Sequence, residues 1–134
     1  MIALGFDFGI KKIGVSVGEK IIKKARALDK LHAKNGSPNW IIIKNLIQYW
    51  QPKILIVGLP LNIDGTKQPI TQKTEIFANK LKQKFNISVE LHDERLTTVE
   101  AKSIIFYNGG FRALQKKNID SFAAVIILES WLNQ

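Results

Sequence analysis

Apolar residues recur along this chain in two periods, and the changes of period divide it into elements. Ile2 to Asp7 reads as a first strand, a nearly unbroken apolar run that ends on an acid. Gly9-Ile10-Lys11-Lys12 supplies a turn, Ile13 to Val17 a second strand and Ile22 to Ala27 a third. Asn35-Gly36-Ser37-Pro38 reads as a loop that opens a helix, with Ser37 as cap and Pro38 in the first turn. Trp40, Ile43, Leu46, Ile47 and Trp50 follow at helical spacing. Lys53 to Leu59 is a buried strand, since Ile54-Leu55-Ile56-Val57 is apolar on both faces.

Pro60 to Pro69 is a loop, and Ile70, Thr74, Phe77, Ala78, Leu81 and Phe85 mark the next helix. Ile87 to His92 is a further strand. Thr97-Thr98-Val99-Glu100 matches a capping box for a helix that runs to about Tyr107 and stops at Gly109-Gly110. A basic loop, Phe111 to Asn118, leads to an apolar last helix opened by Asp120. The order βββαβαβαα predicts an α/β fold in one domain spanning 1–134, a mixed five-stranded sheet with helices packed on it. Asp7 and Glu94 then fall at or just past the C-terminal ends of the first and fifth strands, the edge where open α/β sheets place their ligands.

Three acids stand in apolar surroundings: Asp7 in the first strand, Glu94 after Ile87-Ser88-Val89-Glu90-Leu91, and Asp120 before Phe122-Ala123-Ala124-Val125-Ile126-Ile127-Leu128. A carboxylate in such a setting costs several kcal/mol, of the order of the penalty for any buried ion, unless a cation, hydrogen bonds or a proton offsets it. Brought together, two such charges about 4 Å apart repel by roughly 4 kcal/mol at an effective dielectric of 20, so a cluster gathers cations. A pair of divalent ions is the catalytic form of that solution, and magnesium needs few protein oxygens. Each acid also has a plain structural reading. Asp7 would cap a turn through the Gly9 and Ile10 amides, Glu94 would pair with Arg95, and Asp120 would cap its helix.

The charge balance sharpens this picture. Twenty Lys and Arg face eleven Asp and Glu, a net +9 with an isoelectric point near 9.9, which suits a polyanionic partner. A solvated basic surface is the plainer use of the same residues. Lys11 and Lys12 sit in the turn beside Asp7, Arg95 beside Glu94, and Arg112, Lys116 and Lys117 just before Asp120, where a phosphate backbone would pass. With no cysteine, disulfides, zinc-thiolate clusters and thiol catalysis are excluded. Asp7 interrupts the first apolar run and no basic segment precedes it, so neither a secretory leader nor a membrane span is expected, and the cytoplasm is the expected compartment.

Other motifs carry less. Gly5-Phe6-Asp7-Phe8-Gly9 followed by Gly14 is a glycine-flanked hairpin of the kind found at phosphate-binding strands, or a plain β-turn. Gly58 to Thr66 holds Asn62, Asp64 and Thr66, which could touch a sugar or phosphate; by composition it reads as ordinary turn chemistry. His32 and His92 share no metal spacing, and Trp40, Trp50 and Trp131 read as core rather than as base-stacking platforms.

The chain resembles the YqgF (RuvX) family of bacterial nucleases and resolvases. The resemblance lies in Gly5 to Gly9, Lys11 to Gly14, Ile56 to Thr66, Asp93 to Ala101, Gly109 to Arg112, and Asp120 with Ala123-Ala124 and Ile127-Leu128. It implies a ribonuclease H-like fold, Asp7, Glu94 and Asp120 as catalytic metal ligands, and a cytoplasmic nuclease that trims the 5′ end of the 16S ribosomal RNA precursor. Ile10 departs from the small hydroxyl residue common in the family, and Lys12 stands where arginine is common, keeping charge but losing bidentate geometry.

The expected function is therefore metal-dependent hydrolysis of phosphodiesters in structured RNA, with Mg²⁺ or Mn²⁺ as cofactor, by a monomer or weak homodimer. A Holliday junction resolvase acting on branched DNA would use the same acids but requires a dimer. A non-catalytic nucleic-acid-binding factor in transcription or ribosome assembly would bind without them. A kinase or ATPase half of the actin-like type is disfavoured by the short chain.

Overall fold

The computed structural model describes residues 1–96 and 121–134. Its strands are β1 (Ile2–Asp7), β2 (Lys12–Glu19), β3 (Lys24–Lys34), β4 (Ser37–Pro38), β5 (Ile54–Leu59) and β6 (Ser88–Asp93). The described helices are α1 (Trp40–Trp50), α2 (Pro69–Phe85) and α3 (Phe122–Leu132), with a 3-10 turn at Glu94–Leu96. The strands form one sheet in the order β4-β3-β2-β1-β5-β6. β1, β2 and β3 run antiparallel as a meander, whereas β5 lies parallel to β1 and β6 parallel to β5.

The mixed sheet is the expected one, with differences on its outer side. A sixth, two-residue strand appears where a loop was expected, because Ser37 and Pro38 pair with Lys34 and Ala33. Ser37 is consequently not the helix cap and Pro38 is not in the first turn. Asn39 is the cap, and its Oδ1 accepts from the Ile41 N–H at 3.1 Å. The third strand begins two residues later than Ile22 and continues to Lys34. The capping box from Thr97, the helix to Tyr107 and the basic loop 111–118 lie outside the described residues.

Alternation along β1 decides what each face of the sheet holds. Leu4 and Phe6 point into the larger core, with Ile13, Val15, Val17, Leu55 and Val57, under Ile43 of α1 and Phe77 and Leu81 of α2. Phe77 anchors this side against the rings of Phe6, Phe8 and Trp40, at centroid distances of 5.9, 5.2 and 5.8 Å. Ala3 and Gly5 point the other way, toward α3. That helix is apolar nearly all round and packs Ile127, Leu128, Trp131 and Leu132 against Ala3 and Ile56. Trp131 is thus core, as expected; Trp40 and Trp50 are half-buried and pack at the edge of the larger core. None of the described helices is long and apolar enough to cross a membrane.

Candidate active site

Asp7 continues the β1 alternation beyond Ala3 and Gly5, so it belongs to the α3 side of the sheet. It is the last residue of β1 and pairs with Gly14. Gly9, two residues on, has no room for a side chain, since a Cβ there would lie 2.4 Å from the Lys12 carbonyl oxygen. The turn therefore closes tightly and holds the strand end in place. Asp7 is half-buried, and among the described residues no hydrogen bond or ion pair reaches its carboxylate. The expected alternative, a turn capped through the Gly9 and Ile10 amides, is not what the structure shows. Burial alone pushes the Asp7 carboxyl above its ordinary value of 3.8.

Glu94 opens the 3-10 turn directly after β6. Phe6 pairs with Val57, which puts Asp7 level with Gly58, and Gly58 pairs with His92. Asp7 and the end of β6 thus flank β5, about 10 Å apart at the backbone for two strand spacings. Gly58 lies between them on β5 and has no room for a side chain. A Cβ at Gly58 would lie 3.2 Å from Glu94 Cγ and 2.5 Å from Ile127 Cδ1. The Glu94 side chain and α3 thus both close over this glycine, and the sheet edge carries Asp7 and Glu94 on either side of it.

The expected Glu94–Arg95 pair is not formed. Arg95 pairs instead with Asp93, its Nε reaching both carboxylate oxygens at 3.1 Å and its Nη2 reaching Oδ2 at 2.7 Å. Asp93 Oδ1 also accepts the Arg95 N–H at 2.9 Å, closing the turn. These bonds hold the Asp93 carboxyl below the usual carboxylate range. Arg95 Nη1 donates to the Ile63 carbonyl at 3.2 Å, tying the β5–α2 loop to the turn that bears Glu94.

That loop is closed on itself. Asn62 Nδ2 donates to Thr66 Oγ1, and both the N–H and the hydroxyl of Thr66 donate to Asp64 Oδ1. The Thr71 hydroxyl donates to the Pro60 carbonyl and fixes the start of α2. Asn62, Asp64 and Thr66 are thereby occupied with turn chemistry, as their composition implied.

Lys11 and Lys12 are exposed at the turn and the start of β2, on the side of the sheet edge where Asp7 lies. Asp120, Arg112, Lys116 and Lys117 lie outside the described residues. Among the described residues no group of three acids or histidines could hold a metal ion; two of the three expected acids, Asp7 and Glu94, lie at one sheet edge on either side of β5. One residue that sequence reasoning missed is Ser121, which precedes α3 and is fully buried. Its Oγ accepts the Val15 N–H at 3.0 Å, across 106 positions of sequence.

The family comparison decides the lineage. The RuvX family, described as Holliday junction resolvase, matches residues 1–134. The chain belongs to the RuvX family. A RuvX relative from Buchnera aphidicola subsp. Acyrthosiphon pisum (strain Tuc7), named "Putative pre-16S rRNA nuclease", is 69% identical over 134 residues, covering 100% of this chain and 99% of the relative. A relative of the same name from Klebsiella pneumoniae (strain 342) is 53% identical over 131 residues, covering 98% and 95%. Among solved structures, T. thermophilus RuvC in complex with Holliday junction substrate superposes with a TM-score of 0.63 at 15% identity, covering 97% of this chain and 91% of that one. The fowlpox virus Holliday junction resolvase gives 0.58 at 15% identity, covering 99% of both. These likenesses place the RuvX chain in the ribonuclease H-like fold.

Proposed function

We propose that this RuvX chain is a metal-dependent nuclease that hydrolyses phosphodiester bonds in structured RNA. Its proposed task is to trim the 5′ end of the 16S ribosomal RNA precursor, in the cytoplasm, during ribosome biogenesis. The observation that carries the reading is Asp7, a half-buried carboxylate without a partner among the described residues, at the sheet edge that also carries Glu94. The names of the relatives supply the substrate class.

The side chains fit a divalent ion. Asp7 and Glu94 offer only oxygen, the donor that suits Mg²⁺ or Mn²⁺, and a cation beside Asp7 would offset the desolvation of its carboxylate. Asp7, Glu94 and Asp120 are the residues that would hold the metal. Bound there, such ions supply Lewis-acid activation of water and stabilise the leaving oxygen. The chain's own part is to hold the carboxylates on rigid elements and to seat the phosphate. Lys11, Lys12, Arg95, Arg112, Lys116 and Lys117 are the proposed phosphate contacts. Arg95 would have to give up contacts to serve, because Asp93 and the Ile63 carbonyl already take its donors.

The test is cleavage of a 16S precursor transcript with Mg²⁺ or Mn²⁺, comparing the wild type with Asp7→Asn. Metal-dependent cleavage that the substitution abolishes is the expected result, and equal activity would remove the assignment. A second reading, resolution of branched DNA, is favoured by the description of the family. It requires two symmetric sites, so a chain that stays monomeric on junction DNA would count against it.

A further inference from the structure

We infer that Ile63 is an apolar wedge for the bound nucleic acid: the β5–α2 loop holds it outward beside the Glu94 turn, where it lies against the face of a base next to the seated phosphate and parts that base step. The inference deepens the proposed nuclease reading and rests on it, since that reading seats a phosphate at this edge.

Ile63 is 97% exposed. A lone exposed isoleucine on a slack loop would need no explanation. This loop is fixed. Leu61 and Lys67 bridge its base, the Asn62 N–H donates to the Thr66 carbonyl, and the Gly65 N–H donates to the Asn62 carbonyl, both at 2.9 Å. Gly65 takes the left-handed φ of 89°, and a Cβ there would lie 3.3 Å from Arg95 Nη1, so the guanidinium lies against it. The same Nη1 holds the Ile63 carbonyl. The backbone of the tip is thus clamped to the turn that bears Glu94, while the Ile63 side chain points into solvent. Asn62, Asp64 and Thr66 are spent on one another, so what the tip offers a partner is an aliphatic surface.

The place of the tip says what that partner is. Leu59 pairs with Asp93, so the chain leaves β5 level with the residue before Glu94, at the end of the sheet where β1 stops on Asp7. The net charge of +9 suits a polyanion at this edge. Phosphate and sugar offer an aliphatic side chain nothing to bond. The faces of the bases are the apolar surface of a nucleic acid, and isoleucine is among the side chains that enter base steps and part them. A fixed backbone suits this use, because a preorganised tip loses little freedom on contact. Ile21, 83% exposed in the β2–β3 turn, supplies the contrast. Ile2 pairs with Glu19 and Asp7 with Gly14, so that turn lies at the opposite end of the sheet.

The experiment compares Ile63→Ala, Ile63→Gln, Ile63→Phe and Ile21→Ala in the full chain, on a 16S precursor transcript. Both isoleucines are exposed, so none of these changes should move the melting temperature. The cut is mapped with the wild type, and 2-aminopurine, which brightens when unstacked, then replaces the bases flanking it. Two quantities are read: kcat/KM with Mg²⁺ or Mn²⁺, and the brightening on binding, the latter in an Asp7→Asn background so that cleavage does not intervene. Ile63→Ala is expected to lose about 10-fold in kcat/KM, the order for losing roughly two buried CH₂ groups, together with most of the brightening. Ile63→Gln, similar in size but polar, should behave like the alanine variant. Ile63→Phe should keep both quantities, and Ile21→Ala should match the wild type. Wild-type kcat/KM in Ile63→Ala (the outcome if the tip docks a protein instead), no brightening with Ile63 in place, or an equal loss in Ile21→Ala would overturn the inference while the nuclease reading stood. A wild type that cuts no RNA, or an Asp7→Asn variant that cuts equally well, would instead overturn the nuclease reading, and this inference with it.

Discussion

Two aspartates end two parallel strands of this sheet, and they have opposite surroundings. Asp93, at the end of β6, is gripped by Arg95 and held below the usual carboxylate range. Asp7, at the end of β1, is half-buried without a partner among the described residues and pushed above it. The first contact is complete and organises a turn and a loop. The second leaves a desolvated charge that a bound cation would relieve. A satisfied acid at a strand end holds structure together, whereas an unsatisfied one two strands away is where chemistry is expected.

The largest effect that could break this contrast is on activity. Asp7→Asn should lower cleavage by at least about 100-fold, since removing a ligand should cost no less than removing a group that orients one. The same substitution should raise the melting temperature of the metal-free protein at neutral pH, because it removes a desolvated charge. Asp93→Asn should do the reverse, lowering stability through the turn while leaving metal affinity largely intact. Side-by-side melting curves and Mn²⁺ titrations of the two variants read both outcomes. A destabilised Asp7→Asn would contradict the description of its site.

The glycine between the strand ends gives the next effect. Gly58→Ala sets a methyl against Ile127 and Glu94, and overpacking of this kind costs about 1–3 kcal/mol. Adding Ile127→Val should recover much of that stability in denaturant melts. The pressure on Glu94 would persist, so Mn²⁺ affinity should stay reduced in the double variant.

A subtler separation lies in pH. The folded-state pKa of Asp7 is raised, so its burden on the metal-free fold is present above that value and is relieved as pH falls through it toward 3.8. The folded-state pKa of Asp93 is lowered, so its stabilising contribution is fully present above 3.8 and is lost as pH falls through the lowered value. The gain from Asp7→Asn should therefore shrink as the solution is acidified toward pH 4. The loss from Asp93→Asn should persist to lower pH before it vanishes. Stability curves of wild type and both variants against pH resolve the two. Arg95→Ala should have the smallest effect, a modest drop in melting temperature together with faster amide exchange in residues 61–66, because exposed pairs contribute little.

What the chain betrays in advance follows physical lines. β1 was legible to the residue, because an apolar run ending on Asp7 has one economical reading. The loop at Asn62, Asp64 and Thr66 was legible because those side chains bond locally. β3 and β4 were less so: the outer strands carry Lys24, Arg26, His32 and Lys34 on exposed positions, which blurs any two-residue period. The partner of Arg95 was misread because Glu94 is its neighbour in sequence, yet the turn brings the carboxylate of Asp93, two residues back, onto the guanidinium. Ser121 was invisible, since its bond to Val15 is a tertiary contact with no local signature. Placing Asp7 and Glu94 on one edge needed only the strand order, and the closure of Glu94 and Ile127 over Gly58 needed the structure.

The most direct measurement is a crystal structure of the protein soaked in Mn²⁺, with the ions located by anomalous scattering. The account predicts manganese bound to the Asp7 carboxylate and to Glu94, with Asp93 still paired to Arg95. Manganese on Asp93, or none at Asp7 while ions bind elsewhere, would contradict it.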